Sequence, residues 1–298
     1  MELRIANLSK RYANGTQALQ DVSLTIPLGM FGLLGPNGAG KSTLMRTLAT
    51  LQEADHGTAT LGSLDVLRQK DEVRKVLGYL PQEFGVYPKV SAEDLLSHFA
   101  ALKGIGNARE RRDTVLALLQ QTNLFEHRKK ALGSFSGGMK QRFGIAQALL
   151  GNPRLIIVDE PTAGLDPEER VRFHNLLSAI GENIIVILST HIVADVSDLC
   201  RQMAIIHEGR VLLTGDPAQL ILLLKNRVWK KSIDESTLQD YQSRLRVTLT
   251  RRFAGSTLVH VVSEESPGTG FEPVTPDLED LYFATIKGFV QQPAAVAV

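Results

Sequence analysis

The run Gly35-Pro36-Asn37-Gly38-Ala39-Gly40-Lys41-Ser42-Thr43 sets a lysine and a hydroxyl directly after a glycine-rich turn, at the spacing of a phosphate-binding loop. Glycines there let main-chain N–H groups converge on a phosphate where the next helix begins. Lys41 can reach β- and γ-phosphates, and the Ser42 hydroxyl can bind magnesium. An ordinary glycine turn requires neither side chain at those offsets. A second candidate is the pair Asp159-Glu160, which closes the apolar run Leu155-Ile156-Ile157-Val158. At the end of a buried strand, Asp159 can hold a magnesium shell while Glu160 polarises a water in line with the γ-phosphate; the competing reading makes Glu160 a solvated strand end. A third segment, Phe135-Ser136-Gly137-Gly138-Met139-Lys140-Gln141-Arg142, leads into the helical pattern Ile145, Ala146, Leu149 and Leu150. Read on its own, Ser136 serves equally well as a helix N-cap.

These groups need rigid supports, and the hydrophobic pattern supplies them. Short apolar runs (Leu3 to Leu8, Val22 to Ile26, Met30 to Leu34, Leu155 to Val158, Ile184 to Leu188, Met203 to Ile206) alternate with helical periods, which predicts a largely parallel sheet in an α/β core with a β-rich edge. Between Gln82 and Leu150 the strand signals vanish. Ser91 and Asp94 form a capping box, and Arg109 to Gln121 keeps the helical period, so a helical subdomain is expected at about 83–150. Asp216-Pro217 opens another helix that Leu220 to Leu224 would dock, and the main domain, 1–222, should close there. Towards the C-terminus the charges segregate: 221–252 carries eight basic and three acidic side chains, whereas 253–298 carries one and six. Such complementary halves are expected to pack on each other as a small α+β accessory domain, 223–298. Arg246 to Phe253 and Thr257 to Val262 would be its strands around Ala254-Gly255-Ser256, and Thr275-Pro276 would open a helix bearing Leu278, Leu281, Tyr282 and Phe289. The terminal 291–298 is expected to fray.

Composition bounds the rest. The chain has 298 residues, 33 basic against 32 acidic, with 43% hydrophobic and 22% charged side chains, a balance that disfavours both intrinsic disorder and a polybasic nucleic-acid protein. Its single cysteine, Cys200, excludes an intrachain disulfide framework and reads as a small buried filler in a reducing compartment. No apolar stretch approaches the roughly 18 residues of a membrane helix, and no secretory leader is expected at a start that already reads as a strand.

With these motifs in order, residues 1–220 resemble the ATP-binding cassette ATPases, and Ser136-Gly137-Gly138 resembles the signature motif of that family. The resemblance implies a phosphate-loop NTPase fold of the cassette type, with ATP and Mg2+ bound. It further implies that Tyr12 stacks on adenine, Gln82 contacts magnesium and the attacking water, Asp166 lies between two nucleotide sites, and His191 contacts the γ-phosphate. Each residue also has a plain reading: Tyr12 in a core, Gln82 in a polar turn, Asp166 as a cap before Pro167, and His191 as a solvated strand end. Phe135 departs from the leucine most common before Ser-Gly-Gly, which bears on packing beneath the signature. The Leu278-Glu279-Asp280-Leu281-Tyr282-Phe283 run resembles endings of bacterial exporter cassettes for drugs and polysaccharides, or else is an amphipathic docking helix. The implied protein is the ATP-hydrolysing subunit of an exporter. It would form a head-to-tail dimer, a homodimer by expectation, on a transmembrane permease at the cytoplasmic face of the membrane, with no nucleic-acid partner. Two rivals stand beside it: a soluble cassette ATPase acting on ribosomes or DNA, and a phosphate-loop kinase or GTPase.

Overall fold

The computed structural model describes residues 1–83, 85, 87–253 and 255–291. At its centre is a six-stranded sheet in the order Arg210–Gly215, Gln202–His207, Gly29–Leu34, Ile185–Thr190, Leu155–Asp159, Leu77–Leu80. All neighbours in it run parallel except the first pair, which is an antiparallel hairpin. Strands with both faces covered read as unbroken apolar runs, and their alternation then decides which side each residue fills. Met30, Leu34, Ile156, Val158, Val186 and Leu188 face one core; Phe31, Leu33, Leu155, Ile157, Ile185 and Ile187 face the other.

The second of these cores is closed by an antiparallel sheet, Gln17–Pro27, Glu2–Arg11, His56–Leu61 and Leu64–Asp65, with the helix Lys41–Leu48 between the layers. The first is covered by helices. Ala92–Leu102 begins at Ser91, whose hydroxyl accepts from the Asp94 N–H at 3.1 Å. Ala108–Gln121 begins at Asn107, and Gly137–Ala148 at Ser136. Phe135 is buried under this last helix at 5% exposure, so the aromatic ring in place of leucine is accommodated as core. Cys200 is also buried, against Gly32, and burial pushes its thiol up to about 12.

The strand Leu77–Leu80 is the element that the hydrophobic pattern does not announce. It is four residues long, contains Gly78, and is held by pairing with Leu155–Asp159. An added Cβ at Gly78 would lie 2.1 Å from the Ala148 carbonyl oxygen, so only glycine lets the helix end approach this strand.

Past the helix Pro217–Ile221, strands Val247–Phe253, Ser256–Val262, Val228–Ile233 and Glu272–Pro273 form a third sheet in that order. Ala254, expected in its hairpin turn, lies outside the described residues, as do 292–298 of the terminus expected to fray. Three ion pairs join the basic half to the acidic half: Arg227–Glu264 at 2.6 Å, Lys230–Glu272 at 3.5 Å, and Arg251–Glu279. The final helix, Leu278–Ile286, starts from a capping box of Asp277 and Asp280 and not from Thr275-Pro276, and Phe289 lies beyond its end. Leu278, Leu281 and Tyr282 share the first core with Val196, Leu199, Leu213 and Leu220 of the ATPase region. The motif's carboxylates point the other way: Asp280 Oδ1 lies 2.7 Å from His260 Nδ1, and Glu279 meets Arg251 on the accessory sheet. This is the packing of a docking helix.

Deleting a fully buried leucine from this helix should therefore cost far more than deleting its exposed charge pair. Leu281→Ala is expected to destabilise the chain by about 3 kcal/mol and lower its melting temperature by roughly 5–10 °C, whereas Glu279→Gln should cost under about 1 kcal/mol. Calorimetry of the two variants checks the order; equal losses would contradict the shared core.

Candidate functional site

In the central sheet four parallel strands end on one edge, and each ends beside a residue whose type suits phosphate chemistry. Leu34 pairs with Thr190, Asp159 with Ser189, and Leu80 with Val158, so the chain leaves the sheet side by side as Gly35, His191, Glu160 and the Pro81-Gln82 turn. Open α/β sheets bind ligands at this carboxyl edge.

The loop 35–40 connects Gly29–Leu34 to the helix Lys41–Leu48. Gly38 and Gly40 have φ of +80° and +103°, and a Cβ on Gly40 would lie 2.5 Å from the Ala18 carbonyl oxygen. Both positions need left-handed backbone, and Gly40 also has no room for a side chain, the conformation by which such a loop can offer its N–H groups to a phosphate. The loop is tied down at both ends, by Gly35 N to Thr190 O (3.3 Å) and Gly209 N to Ala39 O (2.9 Å). Pro36 accepts from the Ala39 N–H at 3.2 Å.

Lys41 is buried at 4% exposure, and its ammonium donates to the carbonyls of Gly35 (2.7 Å) and Pro36 (3.1 Å). Glu160 Oε1 lies 3.4 Å from it. Burial lowers the Lys41 pKa below the usual lysine range, while Glu160 and Asp159 pull it back up. Glu160 is itself 8% exposed, so it is no solvated strand end. Its φ is +48°, a strained value for a residue with a side chain, held by its N–H donating to Ser189 O at 2.8 Å. Its other oxygen, Oε2, is 3.0 Å from His191 Nδ1. The two residues expected to act on the terminal phosphate are therefore in contact although 31 positions apart.

Asp159, beside Glu160, is buried at 4% exposure, and that burial raises its pKa, with the Ser189 and Ser42 hydroxyls and Lys41 acting in the opposite direction and Glu160 reinforcing it. Its Oδ1 has no hydrogen-bond partner. A buried carboxylate oxygen with no donor, next to a serine hydroxyl at a phosphate loop, fits a hard divalent cation. Among the described residues no cluster of three His, Cys, Asp or Glu could hold a metal alone. A magnesium shell here would thus be completed by phosphate oxygens and water, as is usual for that ion.

Tyr12 is no core residue. It is 37% exposed, and its hydroxyl bonds Thr43 Oγ1 and Gln52 Oε1, each at 3.1 Å, which holds the ring beside the phosphate-loop helix. Tyr12, Asn37, Gly38, Gly40, Lys41, Ser42, Thr43, Gln82 and Glu160 line one cleft of about 730 Å3. Thr16, Gln17, Ala18, Gln20 and Glu208 also line it; they come from the start of the strand Gln17–Pro27 and from the turn at Glu208, and carry no motif that would mark them in sequence.

Ser136, Gly137, Gly138 and Asp166 do not line that cleft. Both polar residues are N-caps: Ser136 Oγ accepts from Met139 N at 3.2 Å and Asp166 Oδ1 from Glu169 N at 2.8 Å. The signature glycines differ from each other. A Cβ on Gly137 would meet nothing within 4 Å, whereas one on Gly138 would lie 2.1 Å from Glu169 Oε2, the carboxylate paired with Arg142. Gly137 thus leaves an open patch at a helix N-terminus, the end that favours anions.

Comparison with known proteins agrees with this geometry. The family model for the ABC transporter matches residues 19–163. A probable multidrug ABC transporter ATP-binding protein, YbhF of Escherichia coli, is 34% identical over 76% of this chain, which spans 39% of YbhF's length. The daunorubicin/doxorubicin resistance ATP-binding protein DrrA of Streptomyces peucetius is 34% identical over 81% of this chain and 72% of its own. Among solved structures, the dimeric post-hydrolysis state of the ATP-binding cassette MJ0796 bound to ADP and Pi superposes with a TM-score of 0.65 at 26% identity, covering 72% of this chain and 98% of that one. The fold is that of a cassette ATPase, built on a phosphate-loop core. The chain belongs to the family of ABC transporter ATP-binding proteins.

The two signature glycines give a separable test. Gly137→Ala should fold with an unchanged melting temperature and weaken nucleotide occlusion, whereas Gly138→Ala should displace the Glu169 carboxylate from Arg142 and lower the melting temperature by about 2–6 °C. Equal thermal stability of the two would show that the close approach at Gly138 is not a constraint.

Proposed function

We propose that this chain is the ATP-hydrolysing subunit of an exporter, acting as a dimer on a separate membrane permease. The observation that carries this reading is the split site. The phosphate loop, Glu160 and Gln82 line one cleft, with His191 behind it in contact with Glu160, while Ser136, Gly137 and Asp166 lie on helix N-termini and do not line it. Two chains placed head to tail bring the signature of one to the phosphate loop of the other. The names of relatives support the same direction, being those of a drug-resistance protein, a probable multidrug transporter subunit and a dimeric cassette. Among the described residues no helix is long and apolar enough to cross a membrane.

Hydrolysis follows from the residues at the strand ends. Tyr12 offers its ring to the adenine, and Lys41 exchanges its loop carbonyls for β- and γ-phosphate oxygens. Loop N–H groups and the partner's signature helix stabilise the charge spreading over the γ-phosphate. Magnesium, held by Ser42 and Gln82 with Asp159 in its shell, would neutralise charge between the phosphates. Glu160 orients the attacking water and takes its proton, and His191, 3.0 Å away, holds that carboxylate in place and reaches the γ-phosphate. Glu160 and Lys41 form a buried ion pair at 3.4 Å, which places the carboxylate beside the lysine that would hold the phosphates.

A groove of about 430 Å3 between the helical layer and the core supports the permease partner. Its rim includes the exposed Leu51 and Leu102, 58% and 71% exposed, beside Arg74, Lys75 and Lys103. An apolar floor with a basic rim suits a short amphipathic cytoplasmic helix that carries acidic side chains.

Two experiments test the reading. Glu160→Gln should bind MgATP and accumulate an ATP-bound dimer, with turnover reduced at least about 100-fold; near-normal turnover would remove it from the role of base. Mixing Lys41→Ala with Ser136→Arg chains should restore partial ATPase, because one of the two composite sites then joins intact halves. If the mixture dimerises and occludes a single nucleotide the arrangement survives without turnover, whereas monomers that occlude ATP unaided would refute it.

For the groove, Leu51→Glu combined with Leu102→Glu should abolish copurification with the permease from detergent extracts while the isolated chain still binds ATP. Retained copurification would place the permease elsewhere.

A further inference from the structure

Asp195 sits on the short helix Val193–Leu199 with no solvent exposure at all. A carboxylate at that depth is costly unless every lone pair has a donor, and here each oxygen has two. Oδ2 accepts from the hydroxyls of Thr162 (2.6 Å) and Thr190 (3.2 Å). Oδ1 accepts from Arg170 Nε at 2.9 Å and lies 2.8 Å from His174 Nε2.

The positions of these partners give the cluster its meaning. Thr162 follows Glu160 by two residues and Thr190 immediately precedes His191, so one carboxylate grips the two turns that carry the contacting pair Glu160 and His191. Thr190 is clamped further, because its hydroxyl also accepts from the Ile192 N–H at 2.9 Å. Arg170 and His174 belong to the helix Pro167–Ile180, capped by Asp166 and joined through Glu169 to Arg142 of the signature helix. Thr162, Thr190 and His174 are all buried, and none of the five residues lines the nucleotide cleft.

We propose that Asp195 is a positioning residue for hydrolysis: its carboxylate sets the Glu160 turn and the His191 turn in register with the helix that carries Asp166, without touching nucleotide. The proposal rests on the reading of Glu160 and His191 as hydrolytic residues. A hydrophobic side chain would fill the space as stably, but it would leave three segments free to shift against one another. A side chain with four donors converging on it fixes their relative positions, and hydrolysis tolerates only small displacements of the reacting groups, since about 1 Å can cost roughly 100-fold in rate.

Asp195→Asn leaves Arg170 facing an amide and is liable to unfold the region, so the decisive variants act on its donors one at a time. Thr162→Val and Thr190→Val keep the shape and remove one hydroxyl each; Thr162→Ser and Thr190→Ser keep the hydroxyl. Steady-state ATPase, binding of a fluorescent ATP analogue and melting temperature should be measured on the full chain in the form that hydrolyses ATP. The valine variants should lose kcat by about tenfold with KM and analogue affinity within about threefold of the parent, and the serine variants should keep kcat within about threefold. Valine variants with parental kcat would overturn the proposal, as would losses in kcat that the serine variants share. A parent without ATPase would overturn the enzymatic reading first, and that result is distinct from an active parent with indifferent variants.

Discussion

The site depends on a backbone requirement. Buried peptide groups must be hydrogen-bonded, and in a parallel sheet only one register between neighbouring strands satisfies them while keeping apolar residues on the correct face. That register aligns Leu34 with Thr190 and Asp159 with Ser189, and so gathers Gly35, His191 and Glu160 at one edge. A slip of a single residue in Leu155–Asp159 would turn Ile156 and Val158 to the opposite core and pull the carboxylates away from Lys41. Packing of the two cores thereby fixes the chemistry at their common edge.

That edge is electrostatically expensive. Lys41, Asp159 and Glu160 are all buried, with the lysine shifted down and Asp159 shifted up by desolvation. Glu160 holds a left-handed φ, and Asp159 keeps an oxygen without a donor. Sites of this kind are stabilised by what they bind: anionic phosphate offsets the buried ammonium, and a divalent cation offsets the carboxylates. The strain is supported from behind by the two cores and by the Asp195 cluster, which is saturated with donors and lies one layer below the cleft.

The accessory region is part of this support and no loose appendage. Its last helix buries Leu278, Leu281 and Tyr282 against Val196 and Leu199, which lie on the same short helix as Asp195. Its ion pairs run mostly at the surface, where each contributes little, so the apolar contact sets the orientation. The Leu-Glu-Asp motif is explained by this docking: the leucine points into the shared core and both acids point at the accessory sheet.

The sequence alone determined whatever rests on short-range physics. The phosphate loop needs only strand, glycines, lysine and hydroxyl within a dozen residues, and Ser91, Ser136, Asp166 and Asp216 are caps because their side chains reach N–H groups two or three positions ahead. Apolar runs predicted the buried strands, and segregated charge predicted that the two C-terminal halves would pair. Tertiary structure decided what depends on burial and on distant neighbours. Glu160 is a solvated strand end or a buried carboxylate according to whether His191 and Lys41 lie against it, and Tyr12 is core or cleft according to the exposure of the turn that carries it. Leu77–Leu80 becomes a strand only because Leu155–Asp159 pairs with it. Asp195 had no signal, since its four donors come from three segments between 5 and 33 residues away. Local patterns record propensity, whereas a buried polar centre exists only once the chain has closed around it.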